Sequence, residues 1–274
     1  MDYRRPEDPR STEELIALSL RGEEDDEQAW DAIALLHWRG TREVFEAAKR
    51  LVQSPLARER GRGADILGQL GIPKRTFPEE SLQLLLDLLR RETEPAVLES
   101  AATALGHLRD PRAVPELVTL KTHPSAEVRM GVVHGLMCQQ DPEAIAALIA
   151  LSGDPDEDVR NWATFNLGTQ LDIDTPELRE ALLRRLSDPH EETRGEALVG
   201  LARRKDPRVL EPLLAALSAN NVMVLVVEAA MELQDARVYP HLIALRDGPG
   251  EAEHYFRSVL DEAIRSYESP LSTE

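Results

Sequence analysis

Asp154-Pro155-Asp156-Glu157-Asp158-Val159-Arg160-Asn161-Trp162-Ala163-Thr164-Phe165-Asn166-Leu167-Gly168 is the stretch whose reading decides the fold. It opens with an Asp-Pro stop and a cluster of acids, which suit the positive end of a helix. Asp154 with Glu157 has capping-box spacing. Val159, Ala163 and Leu167 then fall four apart, so a helix places them on one face. That face is expected to be core.

The pattern recurs along the chain. Positions equivalent to Leu167 are Leu35, Leu67, Leu105, Leu136, Leu201, Leu233 and Ile264. The intervals are 32, 38, 31, 31, 34, 32 and 31 residues, and the long one contains an enlarged turn, Gly71 to Pro78. Four residues earlier lies a small or apolar residue, such as Ala101, Val132, Ala197 or Ala229. Seven residues earlier lies Arg60, Arg129, Arg160, Arg194 or Arg257, with Leu98 and Val226 standing in two other copies.

Between these helices sits a second kind. Its clearest copy is Asp110-Pro111-Arg112-Ala113-Val114-Pro115, with relatives at Asp141-Pro142, Thr175-Pro176, Asp206-Pro207 and Asp235-Ala236. Asp or Thr followed by Pro is a helix start. A second proline, at Pro115, Pro212 and Pro240, is expected to kink the helix without breaking it. Ser11 with Glu14 has capping-box spacing and opens a short first helix. The chain therefore reads as helix, turn, helix, about eight times, within one repeat domain over residues 11–268. Residues 1–10 and 269–274 read as loose tails. One hairpin cannot bury its apolar stripe alone, but stacked hairpins can. The end hairpins need a polar outer side, which Glu23 to Glu27 and Glu251 to His254 would supply.

Composition agrees with helices. Aromatic residues make up 4% of 274, so Leu, Ala, Val and Ile must form the core. No apolar run approaches the roughly 18 residues needed to span a bilayer. The first residues hold no apolar segment, so no secretory leader is expected. A single cysteine, Cys138, excludes an internal disulfide and fits a reducing, cytoplasmic setting. The net charge is −18, which argues against nucleic acid as a partner. An acidic field favours basic proteins or peptides, and it also keeps an elongated protein soluble.

On these residues the sequence resembles the HEAT-repeat family, in its short, phycobilisome-lyase-like subclass. Asp154 to Gly168, Asp188 to Leu201 and Leu105 to Leu117 carry the resemblance, which covers roughly residues 25–265. It implies an all-α, right-handed α-solenoid, or superhelix, of about eight HEAT-like helical hairpins. It also implies that the Pro-bearing helices lie on the convex side and the Val-Arg helices on the concave side. A ladder of Asp–Arg hydrogen bonds between repeats is implied as well. Asp154 with Arg160 and Asp188 with Arg194 fit it; Arg129 and Arg60 belong to it, although His123 and Ser54 replace the preceding Asp. The fold hosts scaffolds and enzymes alike, so it does not fix function.

Chemistry finds little support in the residues. The positions two after the arginines hold Arg62, Gly131, Trp162, Glu196 and Val259, which cannot build a metal centre. No His-Glu-x-x-His, paired cysteine or P-loop is present. No catalytic residue, cofactor site or metal site is assigned. The basic clusters at Arg58 to Arg62, Arg184-Arg185 and Arg203 to Lys205 read as solvated helix ends. Cys138 reads as a small residue near a helix end.

The best candidate surface is a stripe on the concave helices. With Val159, Ala163 and Leu167 in the core, Asn161, Trp162, Phe165 and Thr169 turn partly outward. Equivalent offsets add Arg62, His107, Met130, His134, Glu196 and Arg203. Trp162 reads as an interface anchor, while Phe165 leans towards inter-repeat core. The leading reading is a non-catalytic protein- or peptide-binding scaffold or adaptor. The alternative is a lyase-like enzyme, or enzyme subunit, that handles a chromophore or a modified protein.

Overall fold

The computed structural model describes residues 8–22, 26–248 and 254–268. Sixteen α-helices and no strand occur among them. None of these helices is long and apolar enough to cross a membrane. The chain divides into two compact units, residues 1–147 and 148–274. The first contains α1 (Thr12–Ser19), α2 (Glu27–Arg39), α3 (Arg42–Val52), α4 (Ala57–Gly68), α5 (Pro78–Arg91), α6 (Pro95–Leu108), α7 (Val114–Thr119) and α8 (Ala126–Gly135). Helix α9 (Pro142–Leu151) holds the division. The second contains α10 (Glu157–Phe165), α11 (Pro176–Arg185), α12 (Glu191–Arg203), α13 (Leu210–Leu217), α14 (Val224–Leu233), α15 (Tyr239–Asp247) and α16 (His254–Glu268). This is the all-helical α-solenoid class. The acidic runs expected to finish the ends, Glu23 to Glu27 and Glu251 to His254, lie largely outside the described residues.

Local chemistry explains where the helices begin. Ser11 and Glu14 form the reciprocal capping box of α1. Asp26, Thr41 and Thr175 cap α2, α3 and α11 through their side chains. The cap of α10 is Asp156, two residues beyond the Asp154 expected from spacing. Asp156 accepts from the N–H of Asp158 and Val159, and Asp154 instead accepts from the N–H of Asp156. With acids at 154, 156 and 158, spacing alone did not distinguish them.

The second prolines do not kink helices. Pro111–Ala113 and Pro207–Val209 are short 3-10 turns, and α7 and α13 start directly after them. Pro115, Pro212 and Pro240 thus sit in first turns, where a missing N–H breaks no intrahelical bond.

Val159, Ala163 and Leu167 are all fully buried. The equivalent Leu67, Leu105, Leu136, Leu201 and Ile264 are buried with them, whereas Leu233 is half-buried. In α2 the register moves by one: Leu36 is fully buried and Leu35 is not. Full burial of such a side chain contributes about 1.5–3 kcal/mol.

Within each unit the Val-Arg helices pack on one another in one layer: α4, α6 and α8 in the first, α10, α12, α14 and α16 in the second. The Pro-bearing helices form the other layer and touch one another less. Small residues allow the tight layer. A Cβ on Gly131 would lie 2.8 Å from Glu99 Cα, and one on Gly200 only 2.6 Å from Gly168 Cα. The closely packed layer is the one that the family resemblance implies to be the inner, concave side.

Arginines tie successive repeats. Arg60, Arg129, Arg160 and Arg194 each donate through Nη1 to two carbonyls of the turn preceding their own helix. The inter-repeat bond is made forwards. Arg160 reaches both oxygens of Asp188, and Arg60 reaches both oxygens of Glu92. The pairing of Asp188 with Arg194 and of Asp154 with Arg160 is thus through backbone carbonyls, not carboxylates.

The basic clusters are not simply solvated. Arg204 donates to the carbonyls of Leu167, Gly168, Leu171, Ile173 and Gly200. Those carbonyls surround a π-helical stretch, Asn166–Gln170, which closes α10. Lys205 donates to the carbonyls of Glu232 and Leu233. Arg185 bonds Asp188 at 2.9 Å. Helix C-termini leave carbonyls without intrahelical donors, and Arg204 and Lys205 supply them.

Candidate functional site

On the inner layer of the second unit, α10 presents Trp162 one position before the core residue Ala163. The indole is 40% exposed. Phe165, half-buried and one turn on, meets it edge to face at 5.6 Å. Beside the pair, Asn161 donates to Glu192 at 3.4 Å and accepts from Thr193. Thr169 donates to Glu196 at 3.3 Å.

Glu196 of α12 is the perturbed group here. Burial pushes its pKa up, the Thr169 hydrogen bond opposes this, and the charges of Glu228 and Glu192 add to it; the result is about 7. Burial and Glu232 likewise raise Glu228 of α14. Arg203 does not offset these charges freely, because it donates to the Thr169 carbonyl and pairs with Asp172 at 3.5 Å. The structure therefore brings Asn161, Trp162, Phe165, Thr169, Glu196 and Arg203 into one aromatic and acidic patch.

The remaining candidates lie in the first unit. Arg62 of α4 is 5% exposed, pairs with Asp65 at 3.3 Å, and lays its guanidinium over the Trp30 ring at 4.8 Å. His107 of α6 is exposed, with a ring nitrogen 3.3 Å from Gln69, while its carbonyl accepts from Arg75. Met130 and His134 of α8 are half-buried, and burial lowers the His134 pKa. A cavity of about 300 Å³ opens between α4 and α6, with Arg58, Gly61, Arg62, Asp65, Glu94 and Ser100 in its wall.

Trp30, 44% exposed, and Glu228 escaped the sequence reading. A signal for Trp30 existed, since it falls off the stripe of Ala29, Ile33 and Leu36. Glu228 lies five before Leu233, as Glu196 does before Leu201. Among the described residues, no group of three or more His, Cys, Asp or Glu side chains could hold a metal. His190 caps α12, its ring 3.1 Å from Thr193.

Comparison with known proteins bears on this arrangement. The family model for HEAT repeats matches residues 82–168, 150–234 and 175–253. Protein YibA of Escherichia coli K12 is 32% identical over 215 residues, 76% of either chain. A crystal structure of the E. coli YibA superposes with a TM-score of 0.72 at 26% identity, covering 94% of this chain and 93% of that one. The Kap95p–RanGDP structure gives a TM-score of 0.63 at 16% identity, over 94% of this chain and 40% of that one. The latter likeness is one of fold.

Proposed function

The chain belongs to the HEAT-repeat family, and on that footing we propose that it is a non-catalytic scaffold that binds a protein or peptide on its inner layer. The observation that carries this reading is Trp162, left 40% exposed and braced by Phe165 beside the buried Ala163. An exposed tryptophan on a rigid helix is an interface anchor. The carboxylate of Glu192 near it, with those of Glu196 and Glu228 in the following repeats, favours a partner segment that pairs an apolar residue with lysine or arginine. The ring face adds a cation–π contribution. The same charge disfavours nucleic acid. A cytoplasmic location fits the single cysteine. That Kap95p binds RanGDP supports the use of this fold for protein recognition.

The test uses blocked peptides that combine Lys or Arg with Leu or Phe, titrated against the full chain with Trp162 indole resonances as reporter. Trp162→Ala should weaken binding by about 2 kcal/mol, with the thermal midpoint nearly unchanged. Binding should also weaken as salt rises to physiological levels. An acidic peptide that binds as tightly as the basic one would remove the reading. So would a Trp162→Ala chain that loses stability but not binding.

A further inference from the structure

Trp162, Glu196 and Glu228 each lie five residues before the leucine that marks their repeat, Leu167, Leu201 and Leu233. They therefore form one row across α10, α12 and α14, which pack side by side in the second unit. Glu192 and Glu232 sit four residues from Glu196 and Glu228 on the same helices. Each of α12 and α14 thus carries two like charges one turn apart, an arrangement that destabilises a helix slightly.

Carboxylates that are buried elsewhere meet an arginine. Glu92 meets Arg60, Asp188 meets Arg160, and Asp206 meets Arg179. Glu196 and Glu228 are half-buried, yet among the described residues no lysine or arginine pairs with either. The charges that act on them are acidic: Glu228 and Glu192 on the first, Glu232 on the second. The cations close by are spent on other groups. Arg203 serves the Thr169 carbonyl and Asp172, and Lys205 serves the carbonyls of Glu232 and Leu233. The row thus runs from an exposed aromatic ring, braced by Phe165, to two carboxylates without a cation. Its complement is an apolar side chain followed by two cationic ones.

Spacing decides the form of that complement. Packed helices lie about 8–10 Å apart. A polyproline II segment rises about 3.1 Å per residue with three residues per turn, so every third side chain returns to one face after about 9 Å. A β-strand brings side chains back to one face after about 7 or 13 Å, which misses the step. An α-helix needs about seven residues per step and about fifteen in all, near the lower limit for an isolated helix in water. We propose that the inner layer of the second unit binds a polyproline II segment whose side chains run apolar, cationic, cationic at intervals of three residues. Trp162 holds the first, and the carboxylates of Glu196 and Glu228 hold the lysines or arginines that follow. This rests on the chain being a polypeptide binder, and it gives that partner a conformation and a spacing.

The probes are acetyl-Phe-Pro-Pro-Lys-Pro-Pro-Lys-amide and its reversed sequence, titrated into the full chain with the Trp162 indole as reporter. A control of the same composition, acetyl-Phe-Pro-Lys-Pro-Pro-Pro-Lys-amide, breaks the spacing. An alanine-based peptide carries the same three side chains seven apart. One of the two directions should bind about tenfold more tightly than the control, the worth of one charge-assisted hydrogen bond. Glu228→Gln should weaken that peptide by about tenfold and leave unchanged a counterpart with Gln for the lysine farther from Phe. Glu196→Gln should weaken both. A control that binds as tightly overturns the proposal, as does tighter binding of the peptide spaced by seven. So does a Glu228→Gln chain that weakens both peptides equally. If every peptide moves the Trp162 indole alike, the scaffold reading stands and the spacing falls. If none moves it, the scaffold reading falls and takes the spacing with it.

Discussion

Arg160 holds both carboxylate oxygens of Asp188, at 3.0 and 3.2 Å, and bridges two successive hairpins through side chains that are 10% and 0% exposed. Burial opposes the charge on Asp188, but hydrogen bonds from Arg160 and the His190 N–H overcome it and lower its pKa. Removing one partner leaves the other charged and enclosed. Asp188→Ala should therefore cost about 3 kcal/mol in urea denaturation. The Arg160→Met, Asp188→Leu double variant should cost clearly less than the two single changes added together. Strict additivity would show that the pair is not energetically coupled.

His37 ties pH to stability in the first unit. It is buried, its Nε2 lies 2.9 Å from the Asp65 carbonyl, and desolvation drives its pKa from 6.5 down to about 4. Between these values the unfolded chain binds more protons than the folded one. Its contribution is thus complete above pH 6.5 and is lost as pH falls towards 4, by about 3 kcal/mol. Denaturation midpoints measured across that range should fall on the acid side. His37→Gln should flatten this part of the curve; an unchanged slope would show that another group is responsible.

Glu196 works in the opposite sense. Its folded pKa of about 7 lies above the ordinary 4.5, so the folded chain holds the extra proton between those values. Stability falls as pH rises through that window, and the penalty is complete above pH 7. Glu196→Gln should raise stability at pH 8 by about 2–3 kcal/mol and change it little at pH 4. Docking of a cationic peptide on the patch should release a proton near pH 7, which calorimetry in buffers of different ionisation enthalpy reads directly.

Two glycines in the first unit separate packing from propensity. Gly131→Ala puts a Cβ 2.8 Å from the Glu99 backbone and should cost about 1–3 kcal/mol. Gly61→Ala meets only Ser100 Oγ at 3.5 Å and should be neutral or stabilise by about 0.5–1 kcal/mol. Equal effects on the thermal midpoint would refute the account of the tight inner layer.

Much of the fold was legible because hairpin repeats restate one hydrophobic period many times. Val159, Ala163 and Leu167 were placed correctly from a spacing of four, and the capping box of Ser11 and Glu14 from a spacing of three. Errors arose where neighbours offered the same chemistry. Leu35 and Leu36 are adjacent leucines, and three aspartates compete to cap α10. The prolines misled because a local rule places them inside helices that in fact begin beside them. The roles of Arg203, Arg204 and Lys205 depend on carbonyls some thirty residues away, which no local pattern encodes. On the candidate patch, the outward turn of Trp162 follows from helical geometry. The raised pKa of Glu196 does not, since it comes first from burial among packed repeats, with the charge of Glu228 in the following repeat adding to it.

The reach of Arg204 also decides where this array can be cut and rejoined. A fragment ending in the turn before α12 would keep Leu167, Gly168, Leu171 and Ile173 but lose the guanidinium that serves their carbonyls. Enclosed carbonyls without donors are costly. A fragment carried on through residue 205 keeps acceptors and donor together. Shortened or grafted versions of the chain therefore have their natural seam after α12, one hairpin later than the boundary that follows α10.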